Sequence, residues 1–249
     1  ESSQFAISVG YTNVTNSGGI GVGTMNVADG STITNAGRLA VGLVNENSGA
    51  WGSVSGTVVM NGGTWSNAGN VLLGMNNSTT TTTKPKGELD IQGGTFKVGT
   101  GKSILVGASS ATGILNVSAG SLGTSSTPIP AIVAGTTYDW HAVTGGAGYS
   151  SAAVAGTGSI TFSGGSVYAD ALTVNAHSGL AISGGTLSLG NTTFNDGSAL
   201  MLMLGGSQNL SLADLTLNGA DTLSFTGTAD GTSTYTLASY TGTLTGEFT

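Results

Sequence analysis

KGELDIQGGTFKVGTGKSILVG, residues Lys86–Gly107, carries three short alternating runs: Leu89-x-Ile91, Phe96-x-Val98 and Ile104-x-Val106, separated by glycines. Side chains two apart share one face of a strand, so each run offers one apolar face and one polar face. Three such strands, with one apolar pair each, bury too little to fold alone. Stacked on copies of themselves they bury a continuous core.

The rest of the chain aligns on this stretch. Apolar pairs recur at Met25/Val27, Val58/Met60, Leu89/Ile91, Leu115/Val117, Ile160/Phe162 and Leu180/Ile182. Three residues after each pair stands Gly30, Gly63, Gly94, Gly120, Gly165 or Gly185, always followed by Ser or Thr. A second marker, apolar-x-apolar-Gly, ends at Gly10, Gly42, Gly74 and Gly107, spaced 32, 32 and 33 residues. Glycine at such points lets the backbone turn with φ > 0 between faces. No helical 3.6-residue period is present.

These patterns predict an all-β chain, a single-stranded right-handed parallel β-helix (β-solenoid) with three short strands per coil and about 7–8 coils. At the spacing of paired strands, that many coils make a rod roughly 35–40 Å long. Residues 1–194 are expected to form the coils, with loop insertions at 75–86 and 124–156. Residues 195–249 are expected to supply C-terminal coils or a capping segment of the same solenoid.

Composition narrows the function classes. Charged residues are 7% of the chain, so the polar surface is mostly Thr, Ser and Asn, and the net charge is −7. All five basic side chains (Arg38, Lys84, Lys86, Lys97, Lys102) precede residue 103, and seven acids follow it. The basic footprint that nucleic acid or an anionic membrane needs is missing. Cysteine is absent, which removes disulfides and thiolate chemistry. The longest apolar run, Ala199–Leu204, is far short of the ~20 residues of a membrane helix.

GGTF and GGTW flanked by apolar-x-apolar strands, with the closing TYTLASYTGTLTGEF, resemble the bacterial autotransporter-associated β-strand (passenger-associated) repeat proteins, of the kind often bearing a C-terminal Pro-Glu-Pro sorting signal. The resemblance covers most of residues 5–249. It implies a bacterial protein, secreted or held at the cell surface, with a right-handed β-helix displayed outside the cell.

The residues offer few sites for chemistry. Tyr138, Asp139, Trp140 and His141 in the large insertion, with Trp51, are the candidate ligand contacts, since loop aromatics stack on sugar rings. Glu88 and Asp90 share a strand face about 7 Å apart, suited to a hydrolase pair, but their sister positions are Thr57/Val59 and Ser159/Thr161. Asp196-Gly197, Asp221 and Asp230-Gly231 are acidic turns, and His177 has no second histidine nearby. No catalytic motif, cofactor signature or metal-ligand cluster is present.

Phe5, Ile7 and Val9 at one end, and Tyr235, Leu237, Tyr240 and Phe248 at the other, are expected on open strand edges that invite pairing. The leading expectation is therefore a non-enzymatic extracellular structural protein, self-associating end to end into a filament or serving as an adhesin passenger. The alternative is a carbohydrate-binding surface module acting through the loop aromatics.

Overall fold

The computed structural model describes residues 5–12, 20–46, 53–78, 84–138, 154–205, 209–228, 231, 232, 234 and 236–248. Their strands fall on three faces. The first holds β1 (Phe5–Thr12), β4 (Arg38–Glu46), β7 (Val71–Ser78), β10 (Ser103–Ala108), β13 (Ala131–Thr136), β18 (Leu215–Asn218) and β21 (Leu244–Thr245). The second holds β2 (Gly21–Val27), β5 (Val54–Met60), β8 (Lys86–Ile91), β11 (Thr112–Val117), β16 (Ala199–Met203) and β19 (Thr222–Thr226). The third holds β3 (Thr32–Asn35), β6 (Thr64–Asn67), β9 (Thr95–Val98), β12 (Ser121–Leu122), β17 (Asn209–Leu212) and β20 (Ser239–Tyr240).

Two long strands, β14 (Thr157–Val174) and β15 (Gly179–Asn195), belong to all three faces. β14 pairs with β11 through Thr157–Phe162, with β12 through Ser166 and Val167, and with β13 through Leu172–Val174. Every pairing between named strands is parallel, and together they make one 21-stranded sheet.

This corrects the expectation of a solenoid of separate coils with three short strands each. The wall is a single sheet closed round one core, a barrel-like tube whose strands run round its circumference. Within β14 and within β15 the short strands merge through the corners at Gly164-Gly165 and Gly184-Gly185, where the parallel pairing shifts register. Nine strands stack on the first face and eight on each of the others, counting β14 and β15 on all three.

The insertions are narrower than expected. Met75–Ser78 belong to β7 and pair with β4. Within 124–156, β13 is a wall strand: Ile132 lies between Ile104 and Leu172, and Ile129 and Ile132 are fully buried. In chain order β1, β4, β7 and β13 on the first face are each followed by a strand of the second face.

In-register stacking aligns like with like. Val58, Leu89, Leu115, Ile160, Leu180 and Leu200 form one inward column on the second face. Trp65, Phe96, Leu122, Val167, Leu187 and Leu210 form another on the third. Trp65 and Phe96 are fully buried with ring centroids 5.5 Å apart. Ala40, Leu72 and Leu105 point outward from the first face and, with Leu43, Met75 and Ala108, make a second small buried cluster.

Glycine is demanded at two kinds of position. Gly94 turns the corner between the second and third faces at φ +72, in the left-handed region. Gly87 lies where a Cβ would run into the Val41 carbonyl oxygen and the Gly74 amide, both backbone. The corner repeats this contact turn after turn, with Gly10 against Gly56 and Gly42 against Gly87.

From β14 onward the same corner is built differently. The column Gly23, Gly56, Gly87, Gly113, Gly158 continues as Ser178, Ser198 and Asp221. The facing glycines give way to Asn175, Asn195 and Asn218, which form a ladder. Asn195 Nδ2 donates to Asn175 Oδ1 at 2.7 Å, and Asn218 Nδ2 donates to Asn195 Oδ1 at 3.0 Å.

Two stability outcomes follow from these corners. Gly87→Ala is expected to cost about 3 kcal/mol or more, since backbone must move. Gly30→Ala, where nothing lies within 4 Å of the added Cβ, is expected to cost only the left-handed strain of about 1–2 kcal/mol. Urea denaturation midpoints separate the two. Asn195→Ala removes both rungs of the ladder and is expected to cost about 2 kcal/mol by the same measurement.

Candidate functional site

Two inward columns lose aromatic side chains along the tube, while the column from Val58 to Leu200 keeps its bulk. The third-face column runs from Trp65 and Phe96 to Leu122, Val167, Leu187 and Leu210. On the second face Phe162 is followed by Ile182 and Leu202. Cross-section is held constant by the backbone pairing, so smaller side chains leave space unfilled. A cavity of about 460 Å³ opens there, inside the last turns of the core.

Leu180, Leu200, Leu202, Leu210, Leu212 and Phe194 form most of its apolar lining. Among the described residues no charged side chain lines it. Exposed Thr236 and Tyr240 border it, and half-buried Leu237, Ala238 and Phe248 pack against the core beside it. The Phe248 ring meets Phe194 edge-on, with centroids 6.2 Å apart. A dry, apolar space of this size suits an apolar molecule and has no group placed for proton transfer.

The sequence-predicted sites lie elsewhere. Asp139, Trp140, His141, Trp51 and Tyr235 fall outside the described residues. Tyr138 packs on the small outer cluster, and Ser109 Oγ both accepts from the Tyr138 amide at 3.0 Å and donates to its carbonyl at 2.9 Å. The Tyr138 hydroxyl is buried without a partner. Glu88 and Asp90 are engaged by neighbours on the outer face. Lys86 Nζ lies 3.0 Å from Glu88 Oε2, and Asn116 Nδ2 donates to Asp90 Oδ1 at 2.7 Å.

Of the acidic turns, Asp196 is engaged by backbone, Asp221 by the Ser198 hydroxyl, and Asp230 falls outside the described residues. Asp196 Oδ1 accepts from the Ala220 amide at 2.8 Å, and exposed His177 stands in a turn at φ +61. Among the described residues no group of three or more His, Cys, Asp or Glu is placed to hold a metal ion. No helix among them is long and apolar enough to cross a membrane.

The residues expected at the assembly ends lie on or beside the terminal strands, and β1 pairs with β4 alone among the named strands. Phe5 pairs through its backbone with Arg38, Ile7 is half-buried against the core and Val9 is buried. At the other end only Ser239–Tyr240 and Leu244–Thr245 are strand, two residues each, where Tyr235–Phe248 was expected to be strand-like throughout. Leu237 and Phe248 turn onto the core instead of lying along an open edge.

No family model, curated protein or solved structure matches this chain. The resemblance to autotransporter-associated repeat proteins is therefore corrected. Its motifs mark corner glycines and strand faces, which any closed parallel wall of this geometry requires. The filament and adhesin-passenger reading is corrected with it. That reading rested on separate coils with open end edges, whereas the sheet is one closed wall and its C-terminal segment packs on the core.

The cavity residues were missed because each leucine, taken singly, reads as ordinary core. The signal was the fall in side-chain volume down the aligned column. Asp221, named from the sequence as an acidic turn, is 1% exposed. Its Oδ1 accepts from Ser198 Oγ at 3.0 Å, while Oδ2 is buried without a partner. Asp221→Ser removes the orphan oxygen and continues the serines of its column, so unfolding should become about 1–2 kcal/mol less favourable, measured by chemical denaturation.

Proposed function

We propose that this chain is a non-enzymatic binding protein that takes one lipid-like molecule, apolar along most of its length, into the cavity at the C-terminal end of its core. The observation that carries this reading is the cavity itself. It is lined by leucines and phenylalanine, lacks charge, and is bordered by the hydroxyls of Thr236 and Tyr240. Its volume of about 460 Å³ falls within the roughly 300–1,000 Å³ usual for small-molecule sites. An apolar chain buried there removes its own surface and the leucine surface from water together. A polar head at the rim meets hydroxyls able to donate and accept. We place this activity outside the cell of a bacterium, a setting supported by the low charge and the Thr, Ser and Asn content of the chain.

Titration with a fluorescent long-chain fatty acid tests the reading. Saturable binding is expected. Leu200→Trp and Leu210→Trp fill the cavity and should each weaken that binding about tenfold or more, with thermal stability kept or raised, as cavity-filling changes often do. Binding that is absent, or unchanged in both variants, removes the proposal.

A further inference from the structure

A second depression lies on the outer surface of the wall, on the other side of Leu189 and Leu212 from the apolar cavity. It is a groove of about 320 Å³ that runs across β14, β15 and β17. In-register pairing stacks Tyr168, Ser188 and Ser211 as one outward row along it. Asp170 follows Tyr168 at the corner, and Ser125 and Thr241 complete the polar lining. Gly190 leaves the floor open, since a Cβ there would strike the Asp170 carbonyl. One bank is held by a turn in which Thr124 and Thr127 bond each other through backbone and side chains.

The chemistry of this lining is specific. Tyr168 is half-buried and offers an aromatic surface. The Asp170 side chain is exposed and has no hydrogen-bond or ion-pair partner among the described residues. A carboxylate accepts only, with two oxygens, so it pairs with a ligand presenting adjacent donors. The surrounding hydroxyls both donate and accept. No Lys or Arg occurs after residue 102, so nothing here compensates an anion. A flat apolar patch beside paired hydroxyls meets an aromatic ring, a carboxylate and serines together.

We infer that this groove is a binding site for a neutral saccharide, with Tyr168 under the sugar ring and Asp170 accepting from neighbouring ring hydroxyls. The site is independent of the apolar cavity, because Leu189 and Leu212 stand between the two. Among the described residues its lining includes none of the loop aromatics.

The test is calorimetric titration of the whole protein with neutral hexose oligosaccharides, and with a lysine-rich peptide as the competing cationic ligand. Saturable sugar binding is expected, weakened about tenfold or more by Tyr168→Ala and by Asp170→Asn. Ser188→Trp changes an exposed position, leaves the core alone and should block the groove outright. Leu200→Trp should leave sugar binding unchanged, which separates this site from the cavity. The inference is overturned if no neutral oligosaccharide binds, if all three groove variants bind as the parent does, or if only the cationic peptide binds.

Discussion

Everything in this molecule depends on the close approach of two backbone segments at one corner of the tube. Where the first face hands over to the second, Gly42 meets Gly87 and Gly74 meets Gly113 with no room for a Cβ on either side. Parallel pairing at about 4.8 Å then forces each turn to repeat the contact of the last. The glycine columns and the residue spacing are consequences of that one steric condition.

The change of corner between β13 and β14 divides the tube into two regimes. Before it, glycine faces glycine. After it, an asparagine ladder takes the place of one column, Ser178, Ser198 and Asp221 continue the other, and the turns shorten. The Ser178 hydroxyl accepts from the Gly158 amide at 2.9 Å, which shows how the substitution is accommodated: a side-chain oxygen satisfies an amide of the preceding turn. Side-chain hydrogen bonds replace close packing as the adhesive between turns. Both pockets lie within this second regime.

Much of the wall was legible because its constraints are local. Gly30, Gly63, Gly94, Gly120, Gly165 and Gly185 do adopt positive φ, and Leu89, Leu115 and Ile160 do share a column. Strand β13 was hidden inside an assumed insertion. Its Ile132-Val133-Ala134-Gly135 carries the apolar-x-apolar-Gly pattern with a weakly apolar alanine, and Pro128 and Pro130 just before it read as loop. The merging of faces into β14 and β15 depends on hydrogen bonds through the corners, which side-chain alternation does not encode. The packing of Leu237 and Phe248 onto the core was hidden for a similar reason, since Tyr235–Phe248 alternates like any strand. Tyr168 and Asp170 escaped notice because alignment on apolar residues draws the eye inward, and the outward positions between them form the groove.

The cavity and the constancy of the wall are linked by the same geometry. A tube whose circumference is set by backbone pairing does not shrink when its side chains do. Where Trp65 and Phe96 stand upstream, leucines stand downstream, and the lost volume stays as empty space because closure on any one face would break pairing on the others. A free helix or loop relaxes into such a gap; a strand paired on both edges, as β15 is with β14 and with β16, β17 and β18, does not. Only the C-terminal segment, held by the short pairings of β20 and β21, is free to move inward, and Leu237, Ala238 and Phe248 have done so. The space they leave is set by the reach of that segment. Occupation by an apolar molecule would restore the contacts the leucines lack, and binding there is therefore a completion of the core.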